Sequence, residues 1–398
     1  MGAKESKVDS NLFDEPALKC SAHKGDINCL ALSADQTLLA SGSDDRTIKL
    51  WAKSTDESEG LVCQGILEGH EQYVTRLLFY EDALISGSAD FTVRKWDPKS
   101  GQCVKVMEGH KGMVTALACH KKMILSASND KTVICWDFET GQMTGQLKGH
   151  TQNVNAVTTF STTDSGGGGR WRTGRAIEES ASVTQYGIRE CIYTGSSDRT
   201  AKSWSMRSYK RLLTFHGHVG PVTQVMVEST GRILYTASLD GTLRSWYAET
   251  AKPQYVFEGH GGEISCFEMF DKLLFTGSSD GTARSWLAET GVCVRIYRGH
   301  KRCVRTIRKI DSTIVTVSED GRIHCFEEKT GSLKYLYGKK VTACCNALEI
   351  TEDYLITTAN DGHLYLWPKW DKIDSERMLT ENGPEDRRVA DGNPVYEE

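Results

Sequence analysis

Histidine, a hydroxyl residue and aspartate recur along this chain at spacings that invite a nucleophilic reading. His23, Ser41 and Asp45 form the first set. An imidazole between a hydroxyl and a carboxylate takes the hydroxyl proton while the carboxylate fixes the ring, which is how a serine nucleophile is activated. The types return as His70, Ser86 and Asp90; His110, Ser126 and Asp130; His150, Thr194 and Asp198; and His218, Thr236 and Asp240. His260, Thr276 and Asp280 follow, then His300, Thr316 and Asp320, and finally Thr357 and Asp361, where "GKKVTACC" replaces the Gly-His pair. Six residues after each aspartate stands a large aromatic: Trp51, Trp96, Trp136, Trp204, Trp246, Trp286, Phe326 and Trp367. Eight near-copies are not how one active centre is made, and a buried, bonded hydroxyl is a poor nucleophile. The sets read as structural, and the chain as not an enzyme. No phosphate-cradling G-x-x-x-x-G-K-[ST] or metal-binding H-E-x-x-H opposes that reading.

The elements that position these residues follow from the spacing. Successive aspartates lie 45, 40, 68, 42, 40, 40 and 41 residues apart, a period that holds four short strands and their turns. After His70 the runs "YVTRLLFY", "ALISGSAD", "TVRKWD" and "CVKVMEGH" are apolar and β-branched, divided by turn residues such as Asp97 to Gly101. No helical period stands out, so the chain is expected to be all-β.

The Gly-His to Trp-Asp unit of about 40 residues resembles the WD-repeat β-propeller family, over Ala17 to about Trp370. The resemblance implies blades of four strands around a central channel, each locked by a hydrogen-bonded network of the histidine, the Ser or Thr, the aspartate and the tryptophan. Two locks depart from the pattern and must be partial or rebuilt: Phe326 has no indole N–H, and the eighth unit has no histidine. We expect a single closed ring of eight blades, with seven as the alternative. The last unit supplies three strands, and the stretch "ALKCSAH" from Ala17 completes it. The expected organisation is a flexible tail at 1–16, the propeller at 17–370, a disordered insertion at 162–190 in the fourth repeat, and a disordered acidic tail at 371–398.

Composition bounds the function. The formal net charge of −5 argues against nucleic-acid binding, which needs a basic face. Thirteen cysteines, without a C-x-x-C pair, read as thiols of a reducing compartment, and neither metal nor cofactor is expected. The reading that remains is a non-catalytic, monomeric scaffold that binds other proteins, as peptides or loops on one propeller face. Candidate contacts are Arg46, Phe91, Lys131 and Arg199, beside the anchor aspartates, with Tyr73 and Met113 in the loops after the histidines. Asp26, Asn153, Pro221, Glu263, Cys303 and Cys344 hold the same loop position in the other repeats. The basic run "HKRCVRTIRKI" from His300 offers a weaker phosphate-reading site.

Alternatives are a substrate receptor of a ubiquitin ligase, disfavoured because no W-D-x-R follows the Trp-Asp pairs, and a propeller-fold hydrolase. The start "MGAKES" fits the acceptor pattern for myristoylation of Gly2, which would give reversible membrane contact to a cytoplasmic protein. In the tail, Asn393 to Tyr396 spells Asn-Pro-x-Tyr, a turn motif of phosphotyrosine-binding-type recognition. Arg170, Trp171 and Arg172 in the insertion are a further candidate anchor.

Overall fold

The computed structural model describes residues 12–54, 56, 60–161, 190–339, 341 and 343–370, and the regular elements among them are all strands. They form eight sheets. Blade 2 shows the plan: Val74–Tyr80, Ala83–Ser88, Val93–Trp96 and Cys103–Met107 run as an antiparallel meander. β-Branched and aromatic residues fill these strands. The turns are set by side-chain chemistry. Asp97 Oδ1 accepts the Lys99 N–H at 3.0 Å, and the Gly101 N–H reaches the Asp97 carbonyl at 2.9 Å with φ of 71°.

Blade 1 starts at Ile27–Leu32, and blade 8 is built from Cys345–Ile350, Tyr354–Ala359 and His363–Pro368. Leu18–Ser21 pairs antiparallel with the last of these, from Leu18 opposite Leu366 to Ser21 opposite His363. The ring therefore closes with eight blades, and the first repeat's leading strand is the last blade's outer strand.

The ring extends further toward the start than 17. Leu12–Phe13 pairs parallel with Leu333–Tyr337, the outer strand of blade 7. Phe13 stacks on Tyr337 at 4.8 Å, and Gly338 N–H donates to the Phe13 carbonyl at 2.8 Å. Two apolar residues are too short to show a period, which is why 12 and 13 read as tail. Likewise Glu190, counted with the insertion, opens the strand Glu190–Ser196 and pairs with Lys121 at 2.7 Å. The rest of 162–190, the segments 1–11 and 371–398, and with them Gly2, Trp171 and Tyr396, lie outside the described residues.

The core sits between blades. Ala40, Ile48, Leu50 and Leu67 of blade 1 pack with Val74, Leu84 and Trp96 of blade 2, and the other joints follow suit. Polar hooks reinforce them. Each inner strand breaks register near its start, as between Val74 and Arg76, which turns one residue's backbone out of the ladder. A short polar side chain of the preceding blade takes the freed carbonyl: Asn28 donates to Val74 O at 3.0 Å, Thr75 to Val114 O at 2.6 Å, and Asn155 to Val222 O at 2.9 Å. Asn346 donates to Ile27 O at 3.1 Å across the closure. At the joint from blade 7 to blade 8 the residue is Arg305, which turns instead to Glu319 at 2.5 Å.

One inner-strand group is costly. Glu268 is 8% exposed, and burial, with Glu349 adding to it, pushes its carboxyl up to about 7 against the pull of Arg308, 3.6 Å away. A carboxyl raised in the fold favours the protonated form. Stability is therefore given up as pH rises from about 4.5 through about 7. Glu268→Gln should raise thermal stability at pH 8, by about 1–3 kcal/mol, and leave it unchanged at pH 4. Melting curves at the two pH values check this.

Candidate interaction face and the locks beneath it

Second and third strands bring the lock residues together. In blade 2, Trp96 Nε1–H donates to Ser86 Oγ at 2.8 Å, Ser86 Oγ lies 2.7 Å from His70 Nε2, and His70 Nδ1 lies 2.7 Å from Asp90 Oδ2. The proton positions follow from what each group can do. The aspartate only accepts, so Nδ1 carries the proton. The serine accepts from the indole and lies within hydrogen-bond reach of Nε2. The network runs from tryptophan through serine and histidine to aspartate. Blades 3 to 6 repeat it, with Nδ1 to Asp130, Asp198, Asp240 and Asp280 at 2.7 to 3.0 Å. Their hydroxyls, Ser126, Thr194, Thr236 and Thr276, accept from Trp136, Trp204, Trp246 and Trp286 at 2.8 to 2.9 Å. Blade 1 does the same through His23, Ser41, Asp45 and Trp51.

Charge follows geometry. Burial lowers His23, His150 and His260 despite their aspartates. Burial alone would raise Asp45 and Asp280, but the threonine two residues on, a loop N–H and the imidazole outweigh it and leave both at about 2. That threonine went unrecognised in sequence. Thr47, Thr92, Thr132, Thr200, Thr242 and Thr282 each give the carboxylate a backbone and a hydroxyl donor, as in Thr92 to Asp90 at 2.9 and 2.7 Å. The signal was the repeated D-x-T. The hydroxyls Ser41, Ser86, Ser126, Thr194, Thr236, Thr276, Thr316 and Thr357 are fully buried, so no substrate reaches them here. Gly277 to Gly281 spells G-x-S-x-G, but it runs from the end of the strand Leu273–Ser278 into a turn, with no helix after it to make a nucleophile elbow.

Two locks are rebuilt. In blade 7, His300 keeps Thr316 at 2.9 Å and Asp320 at 3.2 Å, and His324 stacks on His300 at 3.9 Å above Phe326. Burial and the neighbouring His300 push the His324 imidazole down to about 3. In blade 8, Trp367 still donates to Thr357 at 3.0 Å, and the Tyr365 hydroxyl donates to Asp361 Oδ2 at 2.6 Å. Tyr365 lies flat against Trp367, so it supplies the donor that the missing histidine would have given. Both substitutes occupy the position two residues before the aromatic.

Above the locks lies the candidate face. One backbone bond fixes the loop residue in every blade to the aspartate turn: Ala89 N–H to Tyr73 O at 2.9 Å and Asn129 N–H to Met113 O at 3.0 Å, and likewise for Asp26, Asn153, Pro221, Glu263, Cys303 and Cys344. Tyr73 OH meets Met113 Sδ at 3.2 Å. Arg46, Phe91, Lys131 and Arg199 stand at one position of blades 1 to 4, all exposed, with φ of 72, 72, 72 and 69°. This left-handed conformation favours glycine, and glycine is what blades 5 to 8 have: Gly241, Gly281, Gly321 and Gly362. A Cβ at those four would stand 3.0, 2.7, 2.7 and 2.3 Å from a carbonyl oxygen of the next blade's loop. Half the ring is thus closed by backbone at this position, and half projects side chains.

Three of the five cations in the basic run after His300 are spoken for by carboxylates. Arg305, Arg308 and Lys309 go to Glu319, Glu268 and Glu328, each on a different part of the fold. All thirteen cysteines are free, and burial lifts the thiols of Cys29, Cys135, Cys266 and Cys345 to about 12.

Comparison with known proteins agrees with this architecture. The family described as "WD domain, G-beta repeat" matches residues 14–52, 61–97, 101–137, 209–247, 251–286 and 291–327. Among curated proteins, the chain is 33% identical over 104 residues to the CCR4-associated factor 4 homolog of Candida glabrata, covering 24% of this chain and 18% of that protein. It is 31% identical over 99 residues to Mitochondrial division protein 1 of Saccharomyces cerevisiae, covering 21% and 14%. Periodic tryptophan protein 2 of Arabidopsis thaliana is 39% identical over 84 residues, covering 21% and 9%. The matches thus span less than a fifth of each relative's length. Among solved structures, the computationally designed Ika8 protein superposes with a TM-score of 0.74 at 25% identity, over 89% of this chain and all of that one. With its matched repeats spread over more than half its length, the chain belongs to the WD domain, G-beta repeat family.

Proposed function

We propose that the chain is a protein-interaction scaffold whose working surface is the lock face of blades 1 to 4. The observation that carries this is the division of the eight left-handed positions. Holding an ordinary side chain there costs about 1–3 kcal/mol of strain, and four of the eight positions show that glycine fits the same turn. Arg46, Phe91, Lys131 and Arg199 are therefore kept at a cost to the fold, with their side chains in solvent. Tyr73 and Phe91, 39% and 43% exposed, put aromatic area beside the three cations, the mix that dominates binding hot spots. Such a surface fits an acidic, aromatic-bearing peptide or loop. Reversible acylation of Gly2 completes the proposal by bringing the scaffold to a membrane.

The test replaces Arg46, Phe91, Lys131 and Arg199 by glycine, the residue blades 5 to 8 already use. Thermal stability is expected to stay level or rise, while proximity labelling in cells loses a defined set of partners. Gly2→Ala in the same experiment should shift labelling away from membrane proteins and lose the acyl mass. A glycine variant that keeps every partner would remove this face from consideration.

A further inference from the structure

Leu12–Phe13 shows that the rim of this ring accepts an added strand. It pairs parallel with the outer strand of blade 7, Leu12 opposite Leu336 and Phe13 opposite Tyr337. The Gly338 N–H turns outward and donates to the Phe13 carbonyl at 2.8 Å. The outer strand of blade 6, Cys293–Tyr297, has a free edge that pairs with nothing among the described residues.

Blade 6 repeats the surface that Leu12–Phe13 covers. The register places Ile296 and Tyr297 where blade 7 has Leu336 and Tyr337. Both tyrosine hydroxyls donate to a backbone carbonyl of the next blade, Tyr297 to Glu328 at 3.4 Å and Tyr337 to Pro368 at 3.1 Å. The Arg298 N–H, in the place of Gly338, has no acceptor among the described residues. Leu336 is half-buried opposite Leu12, but Ile296 is 36% exposed, and Val294, on the same side of its strand, 42%. An apolar, unguarded edge of this kind is a template for a further strand. Other edges are weaker copies: the outer strand of blade 5 opens on Pro253, and that of blade 2 ends on Met107 where the tyrosine would stand.

We infer that the outer edge of blade 6 takes up an extended segment of a partner protein as a parallel strand, making a five-stranded sheet like that of blade 7. Its anchor is an aliphatic residue followed by an aromatic, opposite Ile296 and Tyr297, as Leu12 and Phe13 stand in blade 7. In the same register the two preceding residues face Arg295 and Val294. An Asp or Glu fits opposite Arg295, which is in no ion pair among the described residues, with a β-branched residue before it. Charge also decides against a second copy. The antiparallel self-pairing that sets Val294 against Ile296 would place two Arg295 guanidinium groups opposite each other. Main-chain bonds give such an added strand its affinity, and alternate side chains its specificity. This rim site is separate from the lock face and does not depend on its role.

The probe is the capped peptide Val-Glu-Leu-Phe-Asp, added to the full chain while the methyl signals of Val294 and Ile296 are followed by NMR. Saturable shifts are expected, with affinity at least ten-fold weaker for Val-Lys-Leu-Phe-Asp. They should be absent when the phenylalanine nitrogen is methylated, which removes a main-chain donor of the added strand. Val294→Lys/Ile296→Thr gives blade 6 the residues that blades 7 and 4 have at these positions, Lys334 and Thr214. The fold should therefore stand, with an unchanged melting temperature, while affinity falls at least ten-fold. No shift at millimolar peptide, or unchanged affinity in that variant, overturns the inference. Shifts at Leu336 instead would mean that the peptide displaces Leu12–Phe13 from blade 7, and self-association lost in the variant would assign the edge to a second copy. Either result also overturns it.

Discussion

Trp246→Ala is expected to lower the stability of the ring by about 3–5 kcal/mol, read as a drop in the urea midpoint at unchanged slope. The indole is 1% exposed and lies across the joint from blade 4 to blade 5, edge-on to Phe215 at 6.0 Å and to His218 at 6.2 Å. Removing it leaves a cavity that two sheets cannot both close, and strips Thr236 of the donor it accepts from at 2.8 Å. Trp246→Phe separates these effects. It keeps most of the apolar volume but loses the N–H and part of the second ring, so its cost should fall near 1–2 kcal/mol. Blade 7 shows that a phenylalanine can serve there, but with His324 stacked into the space beside it. Equal loss in both variants would mean that the hydrogen bond, not packing, carries the tryptophan's contribution. No loss in either would remove the lock as a stabilising unit.

Acid should dismantle the same locks in two stages. His23, His150 and His260 have folded values below their ordinary one, so the stability they add is present above about 6.5 and declines as pH falls below it. Asp45 and Asp280, held at about 2, add stability that is present above about 3.9 and declines as pH falls toward 2. Asp90, Asp130, Asp198, Asp240 and Asp320 are depressed as well, so the second stage is shared by seven blades. Between pH 5 and 3 the melting temperature should therefore fall by roughly 10 °C or more. Asp280→Asn should start lower at pH 7 and show a shallower acid decline. A melting temperature that stays level from pH 6 to 3 would contradict the charge states assigned here. Glu268 opposes the histidines above pH 4.5, so Glu268→Gln should steepen the first stage.

What the sequence disclosed, it disclosed by repetition. Ser86 and Asp90 could each be aligned with seven companions and His70 and Trp96 with six, and the Ala17 to His23 stretch could be matched to a fourth strand, so the closed ring was legible in the sequence. Features that occur once were not. Tyr365 is an ordinary strand tyrosine until Asp361 is seen 2.6 Å from its hydroxyl, and nothing in "HLYLW" says that it stands in for an absent imidazole. Asn28 and Thr75 belong to alternating strands, where a short polar residue looks like a solvent position. Their acceptors are carbonyls of the next blade, 46 and 39 residues away. The candidate face was half legible. Arg46, Phe91, Lys131 and Arg199 stood out as neighbours of the aspartates, but their left-handed backbone, and so the argument for their retention, needed the fold.

The pairing of Leu18–Ser21 with His363–Pro368 also sets an order of events during synthesis. A ribosome adds about 5–20 residues per second. The early segment must then wait roughly 20 to 70 seconds for its neighbour to emerge. Through that interval its amides and carbonyls are unmatched, and the first and last sheets each show one raw flank. A nascent chain of this design is thus most in need of a chaperone just before the eighth blade emerges, and a stall at that point would leave a sticky horseshoe rather than a smaller version of the native particle.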